Sequence, residues 1–339
     1  MKLDWKSGLG FGLSAVLLWW TLRDVSPTAV WEVLRHSSVP MFALAVVVNL
    51  SIFPLRARRW RTILEPVAGR IPFGPLWRST AIGIMMNNVF PLRAGEFARA
   101  FALTREVPRV AITTSFGSLA VDRIFDAIAI FGFMFVAMLD PTFPSGISVG
   151  GRTVPQLAGG GIVAVLGVLA ISFAMVMQHE RVMAMVGAIA GKVTPKHRDT
   201  LVRIVGHGLG GLAVLKDGKR FLAVLWWAAL HWFVQALSLY LGFRAVGIDV
   251  PFSAALFLQG IQAIGVAIPS SPGFFGVFET ASIIGLDVYG VPKELAVSWA
   301  LGFHILTFIP ITVIGAVYFA RLGLSVGSIQ KSAKSEPTA

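Results

Sequence analysis

Long apolar runs alternate with short polar stretches along most of the 339 residues. A helix needs about 20 apolar residues to cross the hydrocarbon core of a bilayer. Runs near that length fall at 7–22, 39–55, 156–178, 221–242 and 295–320, and a longer one at 110–139 is interrupted by Asp122-Arg123-Ile124-Phe125-Asp126. The pattern predicts about six full spans. Two further runs are short and broken. The first, 79–92, carries Asn87-Asn88 and Pro91 and leads into Gly95. The second, 253–268, stops at Pro269-Ser270-Ser271-Pro272-Gly273 and resumes over 274–286. Each has an amide side chain, then a Pro/Gly break, then a glutamate, Glu96 or Glu279.

Composition agrees with a membrane-embedded chain. It is 55% hydrophobic and 14% charged, with a mean hydropathy of +0.75, whereas soluble domains carry roughly 25% charged residues. The net charge of +12 is a nucleic-acid signal in a soluble protein. Here the basic residues fall in short loops between apolar runs, where they set orientation by the positive-inside rule and meet anionic headgroups. The chain has no cysteine, which excludes disulfides, zinc–thiolate sites and thiol catalysis. Lys2 and Lys6 precede the first run, no small-x-small cleavage site follows it, and Trp19-Trp20 suits an interfacial anchor; an uncleaved first helix is expected.

Charge decides how the broken runs sit. Arg56, Arg58, Arg59 and Arg61 read as a cytoplasmic stop after the second span, with Arg70 and Arg78 in the loop that follows. If 79–92 crossed fully, Arg93, Arg99, Arg105 and Arg109 would lie outside, against the rule. A re-entrant hairpin that dips in from the cytoplasm and returns near Arg105 removes the conflict, because irregular backbone is tolerated at depth inside protein or along a wet cavity. The second hairpin enters from outside. The fold expected is therefore an all-α polytopic membrane protein of about six full spans and two re-entrant broken-helix hairpins. These form an inverted repeat, with repeat one near 39–139 and repeat two near 221–320. Residues 1–325 form one transmembrane domain, 179–220 a cytoplasmic amphipathic connector, and 326–339 a disordered tail. Both termini lie on the cytoplasmic side of the plasma or inner membrane.

Ionisable groups at membrane depth mark sites or pathways. Asn88, Arg93, Glu96 and Arg99 lie on or beside the first break, Asp122, Arg123 and Asp126 on the next helix, and Ser270, Ser271 and Glu279 at the second break. Glu96 and Arg99 are spaced to share a helix face, as are Arg123 and Asp126, and Arg123 is within reach of Glu96. The arginines suit a phosphate. Ser270, Ser271 and the amides after Gly273 suit an anionic headgroup at a helix N-terminus. No metal or cofactor pattern is present, since two carboxylates are too few oxygen ligands for a hard cation. The glycines at 206–211 lack the Walker spacing. His231 and His304 read as packing residues.

Taken together, Asn88-x-x-Pro91-x-Arg93-x-Gly95-Glu96-x-x-Arg99, Asp122-Arg123-x-x-Asp126 and Pro269-x-x-Pro272-Gly273-x-x-Gly276-x-x-Glu279 make the chain similar to the lysylphosphatidylglycerol synthase transmembrane family, the flippase-like integral membrane proteins. It departs from them mildly, with Asp122 where a glutamate is common and Ser270-Ser271-Pro272 where many members have glycine-rich turns. The resemblance implies a lipid translocase fold and a stand-alone member without the soluble synthase domain. The expected role is a flippase, not an enzyme, with no cofactor. It would move a phosphate-bearing lipid between leaflets: a phospholipid, aminoacyl-phospholipid, polyprenyl-phosphate or glycolipid. Its expected partners are those lipids and a lipid-modifying enzyme, with no nucleic acid. Two alternatives stand beside it, an accessory membrane subunit of a lipid synthase or glycosyltransferase and an intramembrane lipid-phosphate enzyme.

Overall fold

A computed structural model describes residues 5–23, 25–90, 94–144, 146, 148–149, 152–195, 198–199, 202, 205–206, 217–267, 270–325 and 327. The helices are α1 (Trp5–Leu22), α2 (Pro27–Arg35), α3 (Val39–Leu50), α4 (Ile52–Ala68), α5 (Phe73–Val89), α6 (Gly95–Glu106), α7 (Ile112–Met138), α8 (Val154–Met177), α9 (His179–Val193), α10 (Gly218–Ala245), α11 (Phe252–Ala267), α12 (Val277–Asp287) and α13 (Lys293–Arg321). A two-residue antiparallel pairing, Ser148–Val149 with Arg152–Thr153, precedes α8. The protein is an all-α polytopic membrane protein. Among the described residues, Val39–Ala68, Gly218–Ala245 and Lys293–Arg321 are each long and apolar enough to cross a bilayer alone, and α9 turns 90° from α8.

The second span differs from its expected form. It does not stop at Arg56; α3 and α4 run on through the arginines to Ala68, with one turn residue at Ser51. Phe53, Ala57, Trp60 and Leu64 are buried at heptad spacing, so the apolar stripe that holds the helix against its neighbours passes straight through the basic run. Arg59, beside that stripe, is fully buried.

Both broken runs are helical hairpins. In the first, Arg78 at the start of α5 pairs with Glu106 at the end of α6. At the other end the Gly95 amide donates to Asn87 Oδ1 at 2.9 Å. The two backbones touch there: a Cβ on Gly95 would lie 2.0 Å from the Gly83 carbonyl oxygen, so only glycine permits the approach. In the second hairpin Gln262 Nε2 donates to Ser282 Oγ at 2.9 Å, and a Cβ on Gly265 would meet Ala281. The tip is a 3₁₀ turn, Pro272–Phe274, with Gly273 at φ 69° and Gly276 at φ 84°.

Helix α13 gives both hairpins a common ruler. Trp77 packs near Tyr318, Gly315 faces Ala81 and Met85, and Asn88 Nδ2 donates to Thr312 Oγ1 at 2.9 Å. The first hairpin therefore climbs α13 from its C-terminal end. Glu279 meets His304 and Phe278 meets Trp299, so the second descends from the N-terminal end, and α5 contacts the Pro272–Phe274 turn. The C-terminal end of α5 and the Pro272–Phe274 turn thus lie beside the middle of α13, reached from opposite ends of the bundle. Charge separates those ends. Arg61, Arg70, Arg78, Arg109, Arg220 and Arg321 cluster at one, tied by contacts of Arg109 with the Ala68 and Arg70 carbonyls and of Arg220 with Glu65. Asp140, Arg244, Asp249, Asp287 and Lys293 lie at the other, where Phe143 packs on Tyr289 and the Ser38 amide donates to the Ala245 carbonyl.

Candidate functional site

The residues around the first break converge on α4 and α7. Asp122 and Asp126 are one turn apart on α7 and both are buried. Arg59 lies between them, with Nε 2.6 Å from Asp122 Oδ1 and Nη2 2.8 Å from Asp126 Oδ1. Arg56, one turn earlier on α4, lies 3.9 Å from Asp122 and 3.7 Å from Asp126. Arg99 of α6 reaches Asp122 Oδ2 at 3.3 Å and lies over the Trp60 ring, 4.1 Å from its centroid, a cation–π contact. Arg123 bridges Asp126, at 3.0 Å, and Glu96. Trp232 of α10 donates to Asp126 Oδ1 at 2.7 Å.

Four guanidinium groups thus share three carboxylates. Isolated charges are costly to bury and persist when paired and hydrogen-bonded, and the carboxylates here are well served. The arginines are not: Arg99 Nε and Nη2, Arg56 Nε and Arg59 Nη1 are buried donors without an acceptor. Depth sharpens the point. Arg59 lies nine residues before the end of α4, roughly 13 Å along the axis, and Asp126 lies fourteen residues into α7, roughly 21 Å. The cluster thus lies well inside the bundle, several helical turns from its arginine-rich end. Surplus donors at that depth suit an oxyanion.

The remaining expected site residues divide. Arg93 lies outside the described residues. Asn88 turns to Thr312 on α13 rather than to the cluster, and Arg99 pairs with Asp122 rather than with Glu96. At the second break the Ser271 amide donates to Ser14 Oγ at 2.9 Å and its hydroxyl donates to the Phe275 carbonyl at 3.2 Å. Ser270 Oγ is buried without a partner. Glu279 is fully buried. Its Oε2 accepts from the Gly276 amide at 2.7 Å, and its Oε1 lies 2.7 Å from His304 Nδ1. Phe275 and Phe278 cover the imidazole at 4.5 and 4.4 Å between ring centroids. The α12 N-terminus expected to receive a headgroup is therefore filled by the chain's own carboxylate. Among the described residues no contact joins Glu279 to the arginine cluster.

Sequence reading missed Arg56, Arg59, Trp60, Trp232 and His304 as members of these groups. The spacing of Phe53, Ala57, Trp60 and Leu64 was the available signal for the first three, since it carries the helix past the arginines. Nothing local marks Trp232 or His304.

The family model for the lysylphosphatidylglycerol synthase TM region matches residues 8–315. The chain belongs to this family. Among its relatives, a UPF0104 membrane protein of Methanothermobacter thermautotrophicus is 24% identical over 321 residues, covering 91% of each chain. The Glycosyltransferase AglD of Haloferax volcanii is 27% identical over 284 residues, 76% of this chain and 45% of AglD, so this family member spans under half the length of that relative. The Phosphatidylglycerol lysyltransferase of Staphylococcus xylosus is 33% identical over 70 residues, 21% of this chain and 8% of that protein.

Proposed function

We propose that the protein is a lipid transporter that passes a phosphate-bearing headgroup between leaflets while the acyl chains remain in lipid. The observation that carries this is the buried arginine surplus around Asp122 and Asp126, with donor atoms left over inside the bundle. Arg99 and Arg123 hold the phosphate as charge-assisted donors. Glu96, partly exposed at the edge of the cluster, releases Arg123 to the lipid and takes it back when the lipid leaves. The two opposed hairpins supply the moving parts, since discontinuous helices that meet at midplane are how many transporters alternate access. Glu279 and His304 hold the tip of the second hairpin as a unit. No covalent step is assigned to these groups. The protein resides in the plasma or inner membrane with the arginine-rich end of the bundle and both termini in the cytoplasm, which the charge separation supports.

The test is leaflet-specific labelling in proteoliposomes, comparing a phosphate-bearing lipid with a phosphate-free glycolipid of equal chain length. Faster transfer of the phosphate lipid is expected; equal rates for both would defeat this reading. A second reading is favoured by the match to part of Glycosyltransferase AglD: a membrane subunit that presents a lipid substrate to an enzyme. Co-purification with such an enzyme, with no transfer by the protein alone, would favour it.

A further inference from the structure

Helix α4 carries a second set of arginines on another face. Arg58, Arg61, Thr62 and Glu65 follow at i, i+3, i+4 and i+7, one stripe of a helix. With Arg70 and Arg220 they line an open cavity of about 480 Å³. Four guanidinium groups line it with one carboxylate, and a second, Asp217, pairs with Arg220 beside it. Glu65 holds Arg61 at 3.0 Å and Arg220 at 3.5 Å, and Arg220 also meets Asp217 at 3.2 Å. Arg58 lies over Trp227, 5.7 Å from the ring centroid, and Arg58 and Arg70 are exposed. Just beyond Arg220 on α10, Leu222 and Trp226 are each 63% exposed, one turn apart on an apolar face. The cavity thus sits where a charged helix end gives way to a surface that suits acyl chains.

We infer that this cavity is an interfacial binding site for the phosphate of an anionic phospholipid, separate from the buried cluster around Asp122. The ligand chemistry is a phosphate monoanion held by several arginines, and the adjoining apolar face selects the lipid form over free phosphate. Basic pockets between helices at the cytoplasmic surface are suited to such headgroups. Arg59, next to Arg58 in the chain, faces the buried carboxylates, so α4 presents guanidinium groups on one face to the open cavity and on another to the buried cluster. The site stands whether or not the buried cluster moves lipid, because its test reads binding alone.

The test uses the full chain in a neutral detergent, titrated with dioctanoyl phosphatidylglycerol, dioctanoyl phosphatidylcholine or inorganic phosphate. Wild type is expected to bind the phosphatidylglycerol, and Arg61→Gln with Arg70→Gln to weaken it about thirtyfold. Phosphatidylcholine is expected to bind at least tenfold more weakly than phosphatidylglycerol. The charge-preserving pair Arg61→Lys with Arg70→Lys keeps most of the affinity. Wild-type binding falls as salt rises from 50 to 300 mM, which covers the case in which the glutamine pair does not fold. Equal affinity of the glutamine pair and wild type, salt-independent binding, or inorganic phosphate binding as tightly as the lipid would each overturn the assignment.

Discussion

The two hairpins look alike along the chain and differ in what they enclose. Each has an amide, a break and then a glutamate, and each reaches the middle of α13. Glu96 in the first is partly exposed and paired with an arginine that has other partners. Glu279 in the second is sealed under two phenylalanines and caps its own helix. One carboxylate belongs to a network with donors to spare; the other belongs to a closed pair. The same residue type, following a break in each hairpin, joins an open charge network in one and caps its own helix in the other.

This contrast breaks most sharply at Arg59. Replacing it by alanine leaves Asp122 and Asp126 short of their main counter-charge, and removal of one partner from a buried pair costs about 3–5 kcal/mol. Thermal or denaturant unfolding in detergent should show the largest loss of any single substitution here. A loss under about 1 kcal/mol would mean that the carboxylates are served by other groups. Next comes Glu279→Ala, which orphans the Gly276 amide and His304 Nδ1 and should cost about 2–3 kcal/mol. Glu279→Gln, which retains an acceptor, should recover at least half of that. If Gln and Ala behave alike, the cap is not what holds the tip.

Glycine substitutions compare the two hairpin necks. Gly95→Ala places a methyl against the Gly83 carbonyl and the Asn87 side chain, 2.0 and 2.5 Å away, and should cost about 2 kcal/mol as overpacking. Gly265→Ala meets Ala281 Cβ at 3.1 Å and Val277 Cγ1 at 3.4 Å, and should cost clearly less. The reverse order would show that the first neck is the looser one. The smallest effect on stability belongs to Glu96→Gln. Its pair with Arg123 is partly solvated, so unfolding should shift by about 1 kcal/mol or less, while lipid transfer slows if Glu96 trades Arg123 with the headgroup. Unchanged transfer would remove Glu96 from the mechanism.

Much of this architecture was legible in residues. The hairpins followed from Pro91–Gly95 and Pro269–Gly273 together with the distribution of arginines, because both proline chemistry and charge orientation act locally. The contact of Arg123 with Glu96 and Asp126 followed from helix spacing and nearness in the chain. What was not legible came from long-range partners. Arg59 read as a stop because its carboxylates, the nearer of them Asp122, lie 63 residues or more away on α7, and a buried arginine cannot be told from a surface one without them. His304 is 25 residues from Glu279, and only the antiparallel run of α12 along α13 brings them together. The extension of α4 to Ala68 was readable from Phe53, Ala57, Trp60 and Leu64, but the charge pattern outweighed the periodicity.

Arg99 offers the most direct test of the central claim. Asp122 keeps Arg59 at 2.6 Å when Arg99, at 3.3 Å, is replaced, so Arg99→Gln should fold with near-normal stability yet lose a donor meant for phosphate. Transfer of a phosphate-bearing lipid in proteoliposomes, normalised to folded protein, should fall at least tenfold. Transfer at the wild-type rate would contradict the assignment of the buried arginine surplus to the lipid phosphate.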